Sequence, residues 1–402
     1  MPGIIAFPTV VEEALEEFGG LFANAPERRH FGEYLTGLMV TERKNVSAIN
    51  AEFADTTDQS CLNRWITQVP WDEKQLNEHR LDWLQDRPST RYSARGVIAI
   101  DNTLVKHSGE QIEDAGWFWD HSEKRHMIAH DYVIANYVCT SGKYYPLEFR
   151  RFRKREGETD PSFKSHSVLF KELVEWVVFR QIPGDFAFDS YFSSVECLDH
   201  IHGHERGYVG ALKSNRKVEF QGRVMKVAEV AASIPSEDRK RVCIGDRKQW
   251  YFTKTMSLPK LGHRVRLVIL WDRRNGKEAV KFLVTNRVQW EIHRILGVYR
   301  KRWTGTETFH RDGKHHLGMG DCQLRSGEGQ TRHMYLVMLA HSLLMAQMRQ
   351  GRARDWAHTV LTTIGEACRA ASRETLSKTI SWVADQATIG WTEQRIVAHL
   401  KL

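Results

Sequence analysis

The sequence predicts a mixed α/β protein with a helical leader, and three observations carry that prediction. Residues 1 to about 90 repeat apolar positions at three- and four-residue spacing, the period of a helix with one buried face. From residue 96 the pattern changes to β-rich runs bounded by turn residues. Between 162 and 214 helical and strand patterns alternate, as layered α/β folds require.

Each element follows from its own stretch. "VVEEALEEFGGLF", "ERRHFGEYLTGLMV", "NVSAINAEFA" and "DEKQLNEHRLDWLQD" read as helices separated by Asn, Asp, Pro and Gly. "DRPSTRYSARG" (86–96) reads as a linker. "GVIAIDNT" (96–103), "HMIAHDYVIANYVCT" (126–140) and "YYPLEFRRF" (144–152) read as three neighbouring strands. A helix over 162–180, a strand over 185–192, a helix over 194–206 and a strand over 207–214 follow. Residues 215–277 form a second β-rich stretch, with "KQWYFTKTM", "HRVRLVILW" and the turn "DRRNGK". A strand over 280–286, one long helix from about 290 to 314 and a closing helical region complete the chain. The implied regions are a helical N-terminal region (1–92), an α/β core in two parts (93–214 and 278–350) around the β-rich stretch (215–277), and a helical C-terminal region (351–402).

Composition narrows the function. With 402 residues, 41% hydrophobic and 27% charged, the chain reads as a soluble globular protein of more than one core. Its longest apolar stretch, "MYLVMLAHSLLMAQM", falls short of the roughly 20 residues a membrane span needs. No basic segment precedes the first apolar residues, so a cytoplasmic location is expected rather than secretion. Six dispersed cysteines without a CxxC pair predict reduced thiols. The formal net charge of +8 points to a polyanionic partner. "FRRFRKRE" (149–156), "KSNRK" (213–217), "EDRKRVCIGDRK" (237–248) and "YRKRW" (299–303) interleave cations with aromatic residues. Phosphate contact combined with stacking needs that mixture, which makes nucleic acid the expected partner and Arg151, Arg153 and Lys213 candidate contacts.

Three acids stand out against this background. Asp101 follows the apolar run "GVIAI", Asp189 ends "FAFD", and Glu307 lies within the basic segment "YRKRWTGTETFHRDGK" (299–314). Although 88 and 118 residues separate them, strand ends and a neighbouring helix can bring them together. Clustered carboxylates repel each other unless cations intervene, which is what makes such a cluster a divalent-metal site. Asp185, Asp312 and Asp321 compete for these roles, and a solvated salt-bridged helix is the bland reading of Glu307. His130 reads equally as a core histidine or a site residue, while His202, His204, His315 and His316 read as surface or phosphate contacts.

"IDNTLVKHSGE", "FDSYFSS" and "YRKRW....E.F.RD.K..LGMGDCQLR" resemble the three acidic motifs of bacterial DDE transposases, in the group related to the IS4 and IS701 insertion sequences. The resemblance spans roughly residues 30–345 and includes "YLTGLM" and "W.TQVPWDEKQL" of the helical leader. The group's signature is Tyr, two residues, Arg, three residues, Glu, six residues, Lys. Tyr299, Arg302, Glu307 and Lys314 match it except that four residues separate Arg302 from Glu307. On a regular helix the extra residue turns Arg302 by about 100° relative to Glu307.

The resemblance implies an RNase H-like α/β fold: a mixed five-stranded sheet flanked by helices, with Asp101 on strand one, Asp189 after strand four and Glu307 on a late helix. It implies a β-rich insertion between the last two acids. It further implies that Asp101, Asp189 and Glu307 are catalytic and bind two Mg²⁺ ions, for which Mn²⁺ can substitute. Cleavage by water at element ends and 3′-hydroxyl strand transfer into target DNA would follow, in a cut-and-paste reaction. Tyr299, Arg302, Trp303, Arg311 and Lys314 become DNA contacts on the third motif. The partners implied are double-stranded DNA, as terminal inverted repeats and target, and a second copy in a homodimeric synaptic complex; a bacterial, nucleoid-associated setting goes with them. A metal-dependent nuclease without strand transfer and a domesticated DNA-binding protein are the alternatives.

Overall fold

A computed structural model describes residues 3–120, 123–157, 160–245, 247–349 and 351–402. The N-terminal helices are α1 (Thr9–Phe18), α2 (Ala25–Val40), α3 (Val46–Ala51), α4 (Gln59–Thr67) and α5 (Glu73–Gln85). Strands β1 (Val97–Lys106), β2 (Gly116–Asp120), β3 (Arg125–Val138) and β4 (Tyr144–Phe152) follow. Next come α6 (His166–Phe179), β5 (Asp185–Phe188), α7 (Val195–Gly203) and β6 (Tyr208–Ala211). The second β-rich stretch holds β7 (Lys217–Phe220), β8 (Arg223–Lys226), α8 (Val227–Ser233), β9 (Lys240–Ile244), β10 (Arg247–Met256) and β11 (Val265–Trp271). Strand β12 (Lys281–Thr285) leads into α9 (Ile292–Gly305), α10 (Glu307–His316), α11 (Gly327–Gln347), α12 (Ile364–Thr388) and α13 (Glu393–Leu400).

These elements form two compact units, one of residues 1–91, 104–130 and 309–402, the other of 92–103 and 131–308. The first is mainly helical and is built around α11. That helix is buried along nearly its whole length, because "MYLVMLAHSLLMA" offers no charge to solvent. Polar ties cross this core, among them two between side chains of the leader and α11. The Tyr34 hydroxyl meets His333 Nδ1 at 2.8 Å, and Arg80 Nη1 donates to Ser342 Oγ at 2.7 Å. The leader therefore shares a core with the C-terminal helices. His130 belongs here too, with Nδ1 2.9 Å from His107 Nε2 and Nε2 2.8 Å from the Glu113 carbonyl, as a satisfied core histidine. Strand β2, with only five residues and alternating exposure, was not expected from the sequence; it pairs with the first half of β3.

The second unit carries the mixed sheet that the sequence pattern predicts. Its order is β3-β1-β5-β6-β12-β11-β10-β9, with β4 antiparallel to β3. Strands β1, β5 and β6 are parallel neighbours. The run β4-β3-β1-β5-β6 supplies the expected five strands, and the sheet does not stop there. Strands β9 to β11 lie within the expected insertion, yet they add through β12 to the same sheet. Among the described residues, only β7 and β8 stand apart, as a hairpin. Central strands read as continuous apolar runs because helices cover both faces. Ile295 and Leu296 of α9 pack on Val209, Val268 and Leu283 of the sheet.

The single helix expected over 290–314 is a correction. It breaks at Thr306, whose backbone (φ −101°, ψ −69°) closes α9 before α10 begins at Glu307. The Thr306 hydroxyl and amide both donate to the Arg302 carbonyl, at 3.0 and 2.9 Å, which caps the first segment. Gly305 has a packing reason. A Cβ there would lie 2.7 Å from Val138 and 2.9 Å from Ala99, so only glycine lets the end of α9 settle on β1 and β3.

Candidate active site

Strand register brings the first two acids together. The parallel pair β1–β5 ends at Ile100 opposite Phe188, and one further step sets Asp101 beside Asp189. Asp101 is buried, while Asp189 lies at the turn after β5 and accepts the Tyr191 amide at 2.7 Å. Ser193 donates its hydroxyl to the Asp189 carbonyl at 3.1 Å and fixes that turn.

Helix α9 then supplies a cation. Arg302 Nη1 lies 2.6 Å from Asp101 Oδ2 and 4.0 Å from Glu307 Oε1, with the guanidinium largely buried. The break at Thr306 resolves the spacing problem raised by the extra residue. On one regular helix Arg302 and Glu307 would diverge, whereas the interruption lets both reach the same spot. Tyr299 lies one turn back, half-buried, with the Arg302 guanidinium carbon 5.7 Å and Lys281 Nζ 5.8 Å from its ring centre.

Charge is short at this spot. Burial, then Asp189, and to a lesser degree Glu307 push the Asp101 carboxyl up to about 7, although Arg302 and the Asn102 amide pull the other way. Burial works against the Arg302 cation, but Asp101, Tyr299, Asp189 and Glu307 hold its pKa above the usual value. Burial likewise raises Tyr299, whose hydroxyl stays neutral.

A second network lies alongside and was not expected from the sequence. Asn102 Nδ2 donates to Asp131 Oδ1 at 3.0 Å, and His166 Nε2 lies 2.7 Å from Asp131 Oδ2. The His166 ring stacks on Phe152 at 3.9 Å and meets Tyr191 edge-on at 5.3 Å. The sequence signal was the "HD" pair of "MIAHDYV". Its histidine turns to the core and its aspartate to Asn102.

The remaining candidates are dispersed over the surface. Trp303 is 62% exposed on α9. Arg311 and Lys314 are exposed on α10, where Arg311 lies 3.4 Å from Asp312. Lys213 is exposed just past β6, and Arg151 is half-buried on β4. Arg153 is tied locally to Asp160 at 2.9 Å. Among the competing acids, Asp312 is buried, Asp321 accepts the Lys44 amide at 3.3 Å, and Asp185 faces arginines.

Residues 17–241 match the family described as DDE superfamily endonuclease. The chain belongs to that family. The match contains Asp101 and Asp189 and ends before Glu307, so the third acid rests on geometry. No curated protein matches the chain. A DDE endonuclease acts on DNA and cleaves it with a divalent metal, and none of the helices among the described residues is long and apolar enough to cross a membrane.

The residues can be tested against such a metal. Among the described residues, no three His, Cys, Asp or Glu side chains stand close enough to enclose an ion. Arg302 fills the cation position between Asp101 and Glu307 instead. The donor set nevertheless fits a hard divalent ion, being all carboxylate oxygen. One guanidinium faces three acids, a deficit of positive charge that a divalent ion would meet.

Proposed function

We propose that this DDE endonuclease is a transposase of the IS4/IS701 type, cutting at the ends of its element and joining the freed 3′-hydroxyl to target DNA. The observation that carries the reading is the strand register that sets Asp101 beside Asp189, with Arg302 linking Asp101 to Glu307. Asp101, Asp189 and Glu307 would hold two Mg²⁺ ions, with Mn²⁺ as a substitute. When bound, such ions activate the attacking hydroxyl and stabilise the leaving oxygen of an in-line displacement.

The chain's own side chains do the rest. Asn102, held by Asp131 and His166, fixes the strand that carries Asp101. Arg302, beside Asp101 at 2.6 Å, would neutralise the phosphate being attacked. Tyr299 and the exposed Trp303 stack on sugar or base, and Lys314 and Arg311 contact phosphates. The leader helices read the terminal repeats, and two copies pair two ends. The test is incubation with candidate element ends, Mg²⁺ and a supercoiled target, followed by sizing of the products. Joined molecules are expected; cut ends that never join would overturn strand transfer and leave a nuclease.

A further inference from the structure

A second charged cluster lies on the same sheet face as the acids. Side chains alternate along a strand, so Asp185, Ala187 and Asp189 share one face, and Val298 of α9 packs over Ala187. Helix α9 follows this face with Arg302 at Asp101 and Arg294 at Asp185. Eight helical residues separate the two arginines, about 12 Å. Four strand residues separate the two aspartates, about 13 Å. The two Arg–Asp contacts therefore mark the ends of one track.

At the far end, two adjoining hollows of about 430 and 590 Å³ share Asp185 and Arg294. Arg95, Arg206, Arg287 and Lys301 also line them, so with Arg294 five cations surround one acid. Arg206 is already committed, donating to the Ile182 and Gly184 carbonyls at 2.6 and 2.8 Å. Arg287 and Arg294 are held more loosely: Arg287 Nη2 donates to the Glu205 carbonyl at 3.4 Å, Arg287 Nε and Arg294 Nη2 lie 3.6 and 3.7 Å from the Asp185 carboxylate, and their side chains are 42% and 53% exposed. Arg294 is held flat over Trp290 at 3.9 Å, which orients its fork. Gly207 leaves no room for a Cβ between Asp185 and Arg287, so the two side chains close over bare backbone.

We infer that this cluster is a second phosphate site, where Arg287 and Arg294 grip a backbone phosphate of duplex DNA about four base-pair rises from the acidic centre. It rests on DNA being the substrate and not on strand transfer. Two loosely held, exposed guanidiniums offer the planar fork that phosphate fits, and Asp185 holds them in position without using up their donors.

The experiment is fluorescence anisotropy of a random-sequence duplex across about 50 to 200 mM salt in EDTA, where no cleavage occurs. For Arg287→Gln/Arg294→Gln, the log–log salt slope should fall by about 0.9 and affinity at 0.1 M salt by roughly 8-fold, from about 0.9 for the one phosphate no longer neutralised. Arg294→Gln alone should show half that slope change, and it guards against a misfolded double variant, with circular dichroism as the check. Asp185→Asn should tighten binding, because it frees both guanidiniums. If the arginines only neutralise Asp185, all three variants keep the native slope and lose stability alone, which overturns the site while native DNA binding stands. A native chain that binds no duplex overturns the DNA reading and the site together. Inorganic phosphate that raises the melting temperature of the native chain but not of the double variant, with duplex binding unaltered by the substitutions, would reassign the hollow to a small anion.

Discussion

Glu307→Gln separates the metal-ligand reading of the third acid from the salt-bridge reading. The substitution keeps size and hydrogen-bonding capacity and removes one charge. In the structure that charge lies 4.0 Å from Arg302 Nη1, and its side chain is 41% exposed. The raw attraction at that distance is about 4 kcal/mol at an effective dielectric of 20. Solvent screening reduces such partly exposed pairs to about 1 kcal/mol or less. Stability should therefore change by no more than about 1 kcal/mol, read by denaturant melts. Cleavage should respond on another scale, because a lost ligand raises the barrier directly. A fall of a thousandfold or more corresponds to about 4 kcal/mol. Plasmid nicking in Mg²⁺ and in Mn²⁺ gives the rates, and DNA binding should survive or tighten as one repulsion disappears. Asp312→Asn is the control. Asp312 is buried with Arg311 3.4 Å away, so its loss should cost stability but leave the folded fraction cleaving. Normal cleavage by Glu307→Gln, with a folded but inactive Asp312→Asn, would refute the assignment of the third acid.

Gly305→Ala should destabilise the protein by about 1–3 kcal/mol through overpacking, despite the better helix propensity of alanine, because its Cβ meets Val138 and Ala99; an unchanged melt would refute the close-approach argument. In EDTA, the Asp101 carboxyl near 7, against an ordinary 3.8, gives the folded chain an extra proton between those values. Its ionisation therefore opposes folding in full above about pH 7, by about 4 kcal/mol, and that opposition fades as pH falls towards about 4. The stability difference, native minus Asp101→Asn, should accordingly decrease as pH rises through that window, and a flat difference would contradict the buried, repelled carboxyl. DNA affinity should fall steeply with salt, with a log–log slope near −0.9 per phosphate contact; equal affinity at about 50 and 200 mM would count against extensive phosphate contact. Deleting residues 1–92 should leave an aggregating chain, since Tyr34 and Arg80 tie the leader to α11; a monodisperse, cooperatively melting product would show that the leader is dispensable to the fold.

Much of the fold was legible because its signals are local. The helices of the leader, β1, β3, β4, α6 and β10 to β12 follow from period and punctuation, since each buries a face that the sequence already marks. Short segments escaped: the nine-residue α4, capped by Asp58 with Leu62, Trp65 and Ile66 as its buried face, and the five-residue β2. The extent of the sheet also escaped. Whether β9 to β11 make a separate body or an extension depends on which strand edge β12 meets, and no local pattern encodes that.

The site divides the same way. The sequence by itself determined which acids and cations are available, because residue type fixes charge and donor chemistry, and resemblance to acidic motifs marked Asp101, Asp189 and Glu307 as candidates. Only the tertiary structure decided how they meet. Parallel pairing sets Asp101 beside Asp189, and the break at Thr306 brings Arg302 and Glu307 to one point although their spacing on a regular helix forbids it. It also turned His130 inward and Asp131 towards Asn102, and it gathered arginines from separate segments around Asp185. Charges scattered along a chain interact only once folding shortens the distance between them, and that distance is set by packing rather than by any one residue.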